Sequence, residues 1–162
     1  MLVNLATLHL SDARYFLDRP QVLVVACSDG RLQRAVDEFL NEGLGISEYD
    51  RLIVPGGPGA LAGHGFEYSR RDRMMNEMKF LIEAHGILRM ILMFHGPADD
   101  GPEIAVCADY ARARNTDDPK RIRAAQEQDA EVLLREFASF RDVEVSAVWA
   151  EVRQDLSVQF VS

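Results

Sequence analysis

From Val22 the chain runs Val-Leu-Val-Val-Ala and then breaks off into Cys27-Ser28-Asp29-Gly30-Arg31. A short, β-branched run with no polar alternation is a strand buried on both faces, as in a parallel sheet covered by helices on either side. That constrains the chain to an α/β class before any other feature is weighed. Ligands of open α/β sheets bind just beyond the carboxyl ends of the strands. Cys27, Asp29 and Arg31 therefore put a thiol, a carboxylate and a guanidinium where chemistry is expected. Each also has a plain structural role: a buried thiol, a helix-capping carboxylate and a solvated cation.

The rest of the chain repeats the strand–helix rhythm. Residues 1–20 read as an N-terminal arm or short helix, with Leu5, Leu8, Phe16 and Leu17 as anchors on the body or on a partner subunit. A first strand covers 21–26. Ser28 or Asp29 is placed to cap a helix over 32–41, whose residues Leu32, Ala35, Val36, Phe39 and Leu40 fall at helical spacing. A second strand, 51–54, ends in Pro55-Gly56-Gly57-Pro58-Gly59, a segment that reads as non-helical and open to close backbone approach. A helix over 69–85 buries Met74, Met78, Leu81 and Ile82. A third strand, 90–94, delivers His95-Gly96-Pro97-Ala98-Asp99-Asp100-Gly101, and a helix over 102–112 follows.

Asp118-Pro119 is a capping carboxylate followed by proline at the first helical position, so a helix starts there. It runs to about 140 and buries Ile122, Val132, Leu133, Phe137 and Phe140. A fourth strand covers 143–149, and the alternation Val152, Leu156, Val158, Phe160 suggests one more edge strand. Strands alternating with helices build βαβ units. The expected fold is a three-layer αβα arrangement with a mostly parallel sheet of order 2-1-3-4 and an extra edge strand.

At 162 residues the chain suits one domain over 1–162. A formal charge of -8 argues against nucleic acid or an anionic membrane as partner. It leaves room for a small anionic or neutral substrate handled by one pocket arginine. Two cysteines do not make a disulfide framework. The first ten residues lack a basic start, and the longest apolar runs fall far short of a membrane span. A reducing cytoplasm is the expected location.

In a 2-1-3-4 sheet the first and third strands are neighbours, about 4.8 Å apart, so Cys27 and His95 converge. A thiolate and an imidazole suit Zn²⁺, which bonds sulfur at about 2.3 Å and nitrogen at about 2.0 Å. Cys27-Ser28-Asp29-Gly30-Arg31 resembles the Cys-x-Asp-x-Arg motif of the β-class carbonic anhydrases. The similarity continues through the second strand and its Gly-rich turn, a helix, and a third strand ending in His95-Gly96, over about 21–158. The resemblance implies Cys27 and His95 as zinc ligands and Asp29 with Arg31 as a catalytic dyad. Asp29 would either orient the metal's water or itself take a metal position. It further implies a zinc-dependent lyase that attacks CO₂ or a related small electrophile, working as a homodimer.

The chain departs from that family where the third ligand should stand. Three residues after His95, in place of the family's second cysteine, is Ala98. Asp29, Asp99, Asp100 and His64 are the candidates to complete the site, with Cys107 a weaker candidate that reads rather as core on an apolar helix face. The family's Arg-Asn-Ala-Gly turn is replaced by Pro55-Gly56-Gly57-Pro58, and the segment before the first strand is short. An alternative reading follows from Ala98: a metal-free relative that binds a small anion or a protein partner without catalysis. Cysteine phosphatases place five residues between Cys and Arg to cradle phosphate, and three stand here. A redox-sensing Cys27, its thiolate favoured by Arg31 and a helix N-terminus, leaves His95 without a role.

Overall fold

The computed structural model describes residues 8–63 and 68–162. Among them five strands form one sheet in the order β2-β1-β3-β4-β5. These are β1 (Val22–Cys27), β2 (Asp50–Val54), β3 (Arg89–Pro97), β4 (Glu144–Val152) and β5 (Val158–Val161). The first four pair in parallel, and β5 returns antiparallel along β4. The expected order and the expected extra edge strand are both present.

The central strands are apolar on both sides because both sides are covered. Leu23, Val25, Met90, Leu92 and Phe94 face a core shared with helices α2 (Gly59–Ala62), α3 (Tyr68–His85), α4 (Ala108–Arg114) and α5 (Pro119–Phe137). Val24, Ala26, Ile91 and Met93 face a second, smaller core. That side is closed by α1 (Gln33–Glu38) and the wider π-type turn Phe39–Gly43. There the ring of Phe39 stacks on Phe160 of β5 at 4.1 Å. Full burial of each large aliphatic side chain contributes about 1.5–3 kcal/mol, so these two cores hold the sheet's open ends in fixed relation.

Several expectations are corrected. The run 102–112 is not one helix but a 3₁₀ turn, Glu103–Ala105, followed by α4. Val106 between them is extended (φ -57°, ψ 146°), which breaks the helical path. In α5 Asp118 does cap the helix, accepting from the Lys120 amide at 2.9 Å ahead of Pro119. Ile122, Leu133 and Phe137 are buried as expected, but Val132 is 46% exposed because it lies one step round the helix from Leu133. Residues 8–21 form neither helix nor strand. Leu8, Phe16 and Leu17 stand exposed rather than anchored on the body. Leu5 lies outside the described residues.

Candidate metal centre and pocket

Cys27 closes β1 and His95 lies near the end of β3, and these strands run side by side with Ala26 opposite Met93. The Gly-rich turn after β2 folds onto the end of β1. The Val54 carbonyl accepts from the Ser28 amide at 3.1 Å and from the Gly57 amide at 2.9 Å. Gly57 sits at φ +53°, and a side chain there would put its Cβ 2.7 Å from the Cys27 amide nitrogen. Gly59 lies against the Tyr110 ring, where a Cβ would come within 2.6 Å of the hydroxyl. The close backbone approach expected of this segment is thus made to Cys27 and Tyr110. Its last glycine opens α2, so the segment is not wholly non-helical.

β3 runs further than its apolar core, through Gly96 and Pro97, which pair with Glu151 and Val152 of β4. Ala98 then donates its amide to the Val152 carbonyl at 2.8 Å, and Gly101 closes the turn on the Ala98 carbonyl at 2.9 Å. Only glycine fits at 101, since a Cβ would lie 2.0 Å from the Val152 oxygen. The chain returns over the strand ends through the 3₁₀ turn and reaches Cys107, extended (φ -68°, ψ 114°) just ahead of α4.

The consequence is a correction at the third donor. Cys107 is buried as expected, yet it is not merely core: its Sγ lies 3.9 Å from the Cys27 Sγ. The donor atoms of Cys27, His95 and Cys107 all lie within 4.8 Å of one another. Cys27 is half-buried, while His95 and Cys107 are buried. The Cys107 thiol hydrogen-bonds the Cys27 sulfur and holds the Cys27 pKa down at about 4, against burial; the neighbouring His95 lowers it further. The same hydrogen bond, with burial, pushes Cys107 up, although the amides of Tyr110 and Asp109 face it.

His95 gives the test of whether a metal fits. Both ring nitrogens, Nδ1 and Nε2, are buried and make no hydrogen bond among the described residues. Buried polar atoms left without a partner are uncommon and call for an explanation such as an ion. A ring nitrogen beside two sulfurs is a Cys₂His donor set, which suits Zn²⁺. The His95 backbone is fixed from below, its carbonyl accepting from the buried Gln126 Nε2 at 2.9 Å.

Asp29 turns away from both roles of cap and third donor. No side chain caps α1, whose N-cap is Leu32. Arg31 instead takes both carboxylate oxygens, donating from Nε to Oδ1 at 2.9 Å and from Nη2 to Oδ2 at 2.6 Å. The Arg31 amide also donates to Oδ1 at 3.1 Å. The hydrogen bonds from Arg31 hold the Asp29 pKa down at about 2. Arg31 Nη1 reaches on to the Ile104 carbonyl at 3.4 Å, tying the pair to the loop that carries Cys107. Asp99 and Asp100 are exposed on the turn after β3 and do not join the donor group. His64 lies outside the described residues.

Asp29, Arg31 and His95 line a pocket of about 250 Å³. The rest of its lining is apolar, including Pro102, Ile104 and Ala105 from the loop after β3 and Val152, Leu156 and Val158 from β4, β5 and the turn between them. Leu156 stands in the left-handed region at φ +67°, a strained conformation for leucine. The arrangement is a small, largely apolar space lined also by a metal-type donor and one ion pair.

Three residues of this site carry no local signal in the sequence: Cys107, Gln126 and Tyr110. A buried cysteine and a buried tyrosine read as core, and a glutamine on an amphipathic helix reads as surface. Tyr110 donates its hydroxyl to Asp129 at 2.7 Å, joining α4 to α5 beneath Cys107.

No protein-family model matches the chain, and no curated protein matches it. Among the solved structures similar to it at low identity are the following three. One of the tetrameric β-carbonic anhydrases of Sordaria macrospora is 16% identical over 90% of this chain and 82% of its own, with a TM-score of 0.48. The β-carbonic anhydrase isoform I of Trichomonas vaginalis is 13% identical over 96% and 87%, with a TM-score of 0.42. The β-carbonic anhydrase CcaA is 16% identical over 90% and 78%, with a TM-score of 0.46.

Proposed function

We propose that the chain is a carbonic-anhydrase-like zinc lyase, with Cys27, His95 and Cys107 as ligands and Asp29 and Arg31 as its dyad. The observation that carries this reading is the convergence of two sulfurs on a buried imidazole whose nitrogens have no partner among the described residues. Three protein donors would be the number that catalytic zinc takes, where structural zinc takes four. A zinc ion there supplies a Lewis acid that makes water nucleophilic at neutral pH. The Cys-x-Asp-x-Arg motif supports the assignment of roles.

The chain's own residues do the rest. Asp29, kept ionised by Arg31, accepts a hydrogen bond and orients a water at the pocket floor. The apolar walls admit a small, weakly hydrated electrophile such as CO₂ and exclude bulk water. Ala98, which favoured a metal-free anion-binding role, loses its force once Cys107 supplies a third donor. The exposed Leu8, Leu10 and Leu17 of the arm suit a homodimer, in which they would be covered. No helix among the described residues is long and apolar enough to cross a membrane. Two free thiols fit a reducing cytoplasm.

Elemental analysis of the untagged protein, followed by stopped-flow CO₂ hydration, tests the proposal. About one zinc per chain with measurable turnover is expected. A reduced chain that takes up no Zn²⁺ on titration overturns it.

A further inference from the structure

We propose that Cys27 and Cys107 also form a redox pair, closing to an intramolecular disulfide when the metal-free chain meets a hydroperoxide. They are the only two cysteines in the sequence, and folding brings them together from 80 residues apart. Their sulfurs lie 3.9 Å apart and both are free. A disulfide is about 2.05 Å long, so the sulfurs must approach by roughly 2 Å.

The structure indicates which side moves. Cys27 is the end of a central strand with the Gly57 backbone packed against its amide, so it stays in place. Cys107 lies outside regular structure, between the 3₁₀ turn Glu103–Ala105 and α4, so an approach of the sulfurs disturbs no strand or helix interior on its side. The two sulfurs also differ in access. Cys27 is half-buried whereas Cys107 is 1% exposed, so a peroxide from solvent meets Cys27 first.

The chemistry balances in two steps. The Cys27 thiolate attacks one peroxide oxygen and the O–O bond breaks; the hydroxide or alkoxide that leaves takes a proton from solvent and departs as water or an alcohol, giving a sulfenic acid on Cys27. The Cys107 sulfur then attacks the Cys27 sulfur. The S–S bond forms, the S–O bond breaks, and hydroxide departs as water with the proton that Cys107 gives up. The two sulfurs lose two electrons in total, and the peroxide gains them. Without a resolving thiol a sulfenic acid proceeds to the sulfinic acid, so Cys107 decides between reversible and irreversible oxidation.

The disulfide also removes two of the three candidate donors, so oxidation and metal loading exclude each other. That clause alone rests on the zinc reading.

The test uses the full-length chain, reduced, treated with EDTA, desalted and exposed to hydrogen peroxide. The expected product is about 2 Da lighter, has no titratable thiol, contains a Cys27–Cys107 peptide on non-reducing digestion, and returns to two thiols with a phosphine reductant. A chain about 32 Da heavier at Cys27, with Cys107 still titratable, overturns the proposal, as does a chain peroxide leaves unchanged. Cys107→Ser is expected to take the heavier, sulfinic route. Preloading with Zn²⁺ is a separate arm, expected to slow oxidation at least tenfold. A reduced chain that binds no Zn²⁺ yet forms the disulfide sinks the zinc reading and leaves the redox pair standing.

Discussion

Arg31 holds Asp29 by both carboxylate oxygens, with its amide and its side chain acting together, although the two residues are only two positions apart. Their exposure is unequal: the Asp29 side chain is 16% exposed and that of Arg31 61%. An ion pair open on one side adds little to stability, about 0–1 kcal/mol. Its value lies in fixing a carboxylate at the edge of the pocket in one orientation and one charge state.

Arg31→Ala should therefore separate catalysis from folding. Arg31→Ala leaves the Asp29 acceptor in place but unpositioned, and loss of a positioned acid–base partner typically costs on the order of 10²-fold in turnover. Zinc content is expected to stay unchanged and unfolding free energy to fall by less than about 1 kcal/mol. Stopped-flow hydration, metal analysis and urea denaturation read the three quantities. The sign with pH follows from the lowered Asp29 pKa of about 2. The pair's stabilisation is complete above the ordinary carboxylate pKa, and it fades as pH falls toward the folded value. Turnover as unaffected as stability would make the pair structural.

The fold was legible where the chain is apolar on both faces. Val22–Ala26 and Met90–Phe94 need no alternation to read as strands, because a parallel sheet buries both sides, and their adjacency followed from chemistry at both ends. The end of β3 was not legible, since Gly96-Pro97 spells a turn locally, whereas pairing with Glu151 and Val152 keeps it in the sheet. Cys107 was hidden for a similar reason. Its contact with Cys27 spans 80 residues, and a cysteine among apolar neighbours has the local character of core. Asp99 and Asp100 had the right chemistry at the right distance in sequence, but the turn closed by Gly101 leaves them exposed.

Cys107→Ala should abolish tight zinc binding, because two protein ligands remain where catalytic zinc uses three. Zinc per purified chain is expected to drop at least tenfold, while Ala98→Ser, outside the donor group, leaves it unchanged. Competition with a chromophoric chelator measures the difference. Equal zinc in Cys107→Ala and the parent would remove Cys107 from the site.

In the metal-free reduced chain the two thiols should differ sharply toward iodoacetamide. An ordinary thiol, with a pKa of about 8.5, reacts roughly tenfold faster for each pH unit gained below that value. Cys27, lowered to about 4 chiefly by the Cys107 hydrogen bond, is already thiolate at pH 6. Its alkylation rate is expected to be flat from about pH 6 to 8. Cys107→Ala removes the donor, so a pH-dependent rate should return. Peptide mapping assigns the modified residue, and a steep profile for Cys27 in the parent chain would contradict the hydrogen bond.

Gly57→Ala should be the most damaging single methyl near the site. The new Cβ would lie 2.7 Å from the Cys27 nitrogen and 2.8 Å from the Ala26 carbonyl carbon, at a φ of +53°. Neither atom can yield without bending β1. A left-handed non-glycine residue alone costs about 1–3 kcal/mol, and the clash with backbone adds to it. A loss of roughly 2–4 kcal/mol in urea denaturation is expected, with zinc binding weakened because Cys27 moves. Gly30→Ala, which meets nothing within 4 Å, serves as the control.

Leu156→Gly should pull stability and function in opposite directions. Leu156 holds φ +67° in the β4–β5 hairpin, where its amide donates to the Arg153 carbonyl at 3.0 Å. It is 71% exposed, so its side chain returns little burial energy for that strain. Glycine accepts the same φ without a Cβ clash, and a gain of up to about 1 kcal/mol is expected. The leucine side chain nonetheless lines the pocket, as Ile104 does. Without it the pocket opens to water, and KM for a small apolar substrate should rise several-fold while zinc content holds. A variant both more stable and unchanged in KM would place the substrate elsewhere than this pocket.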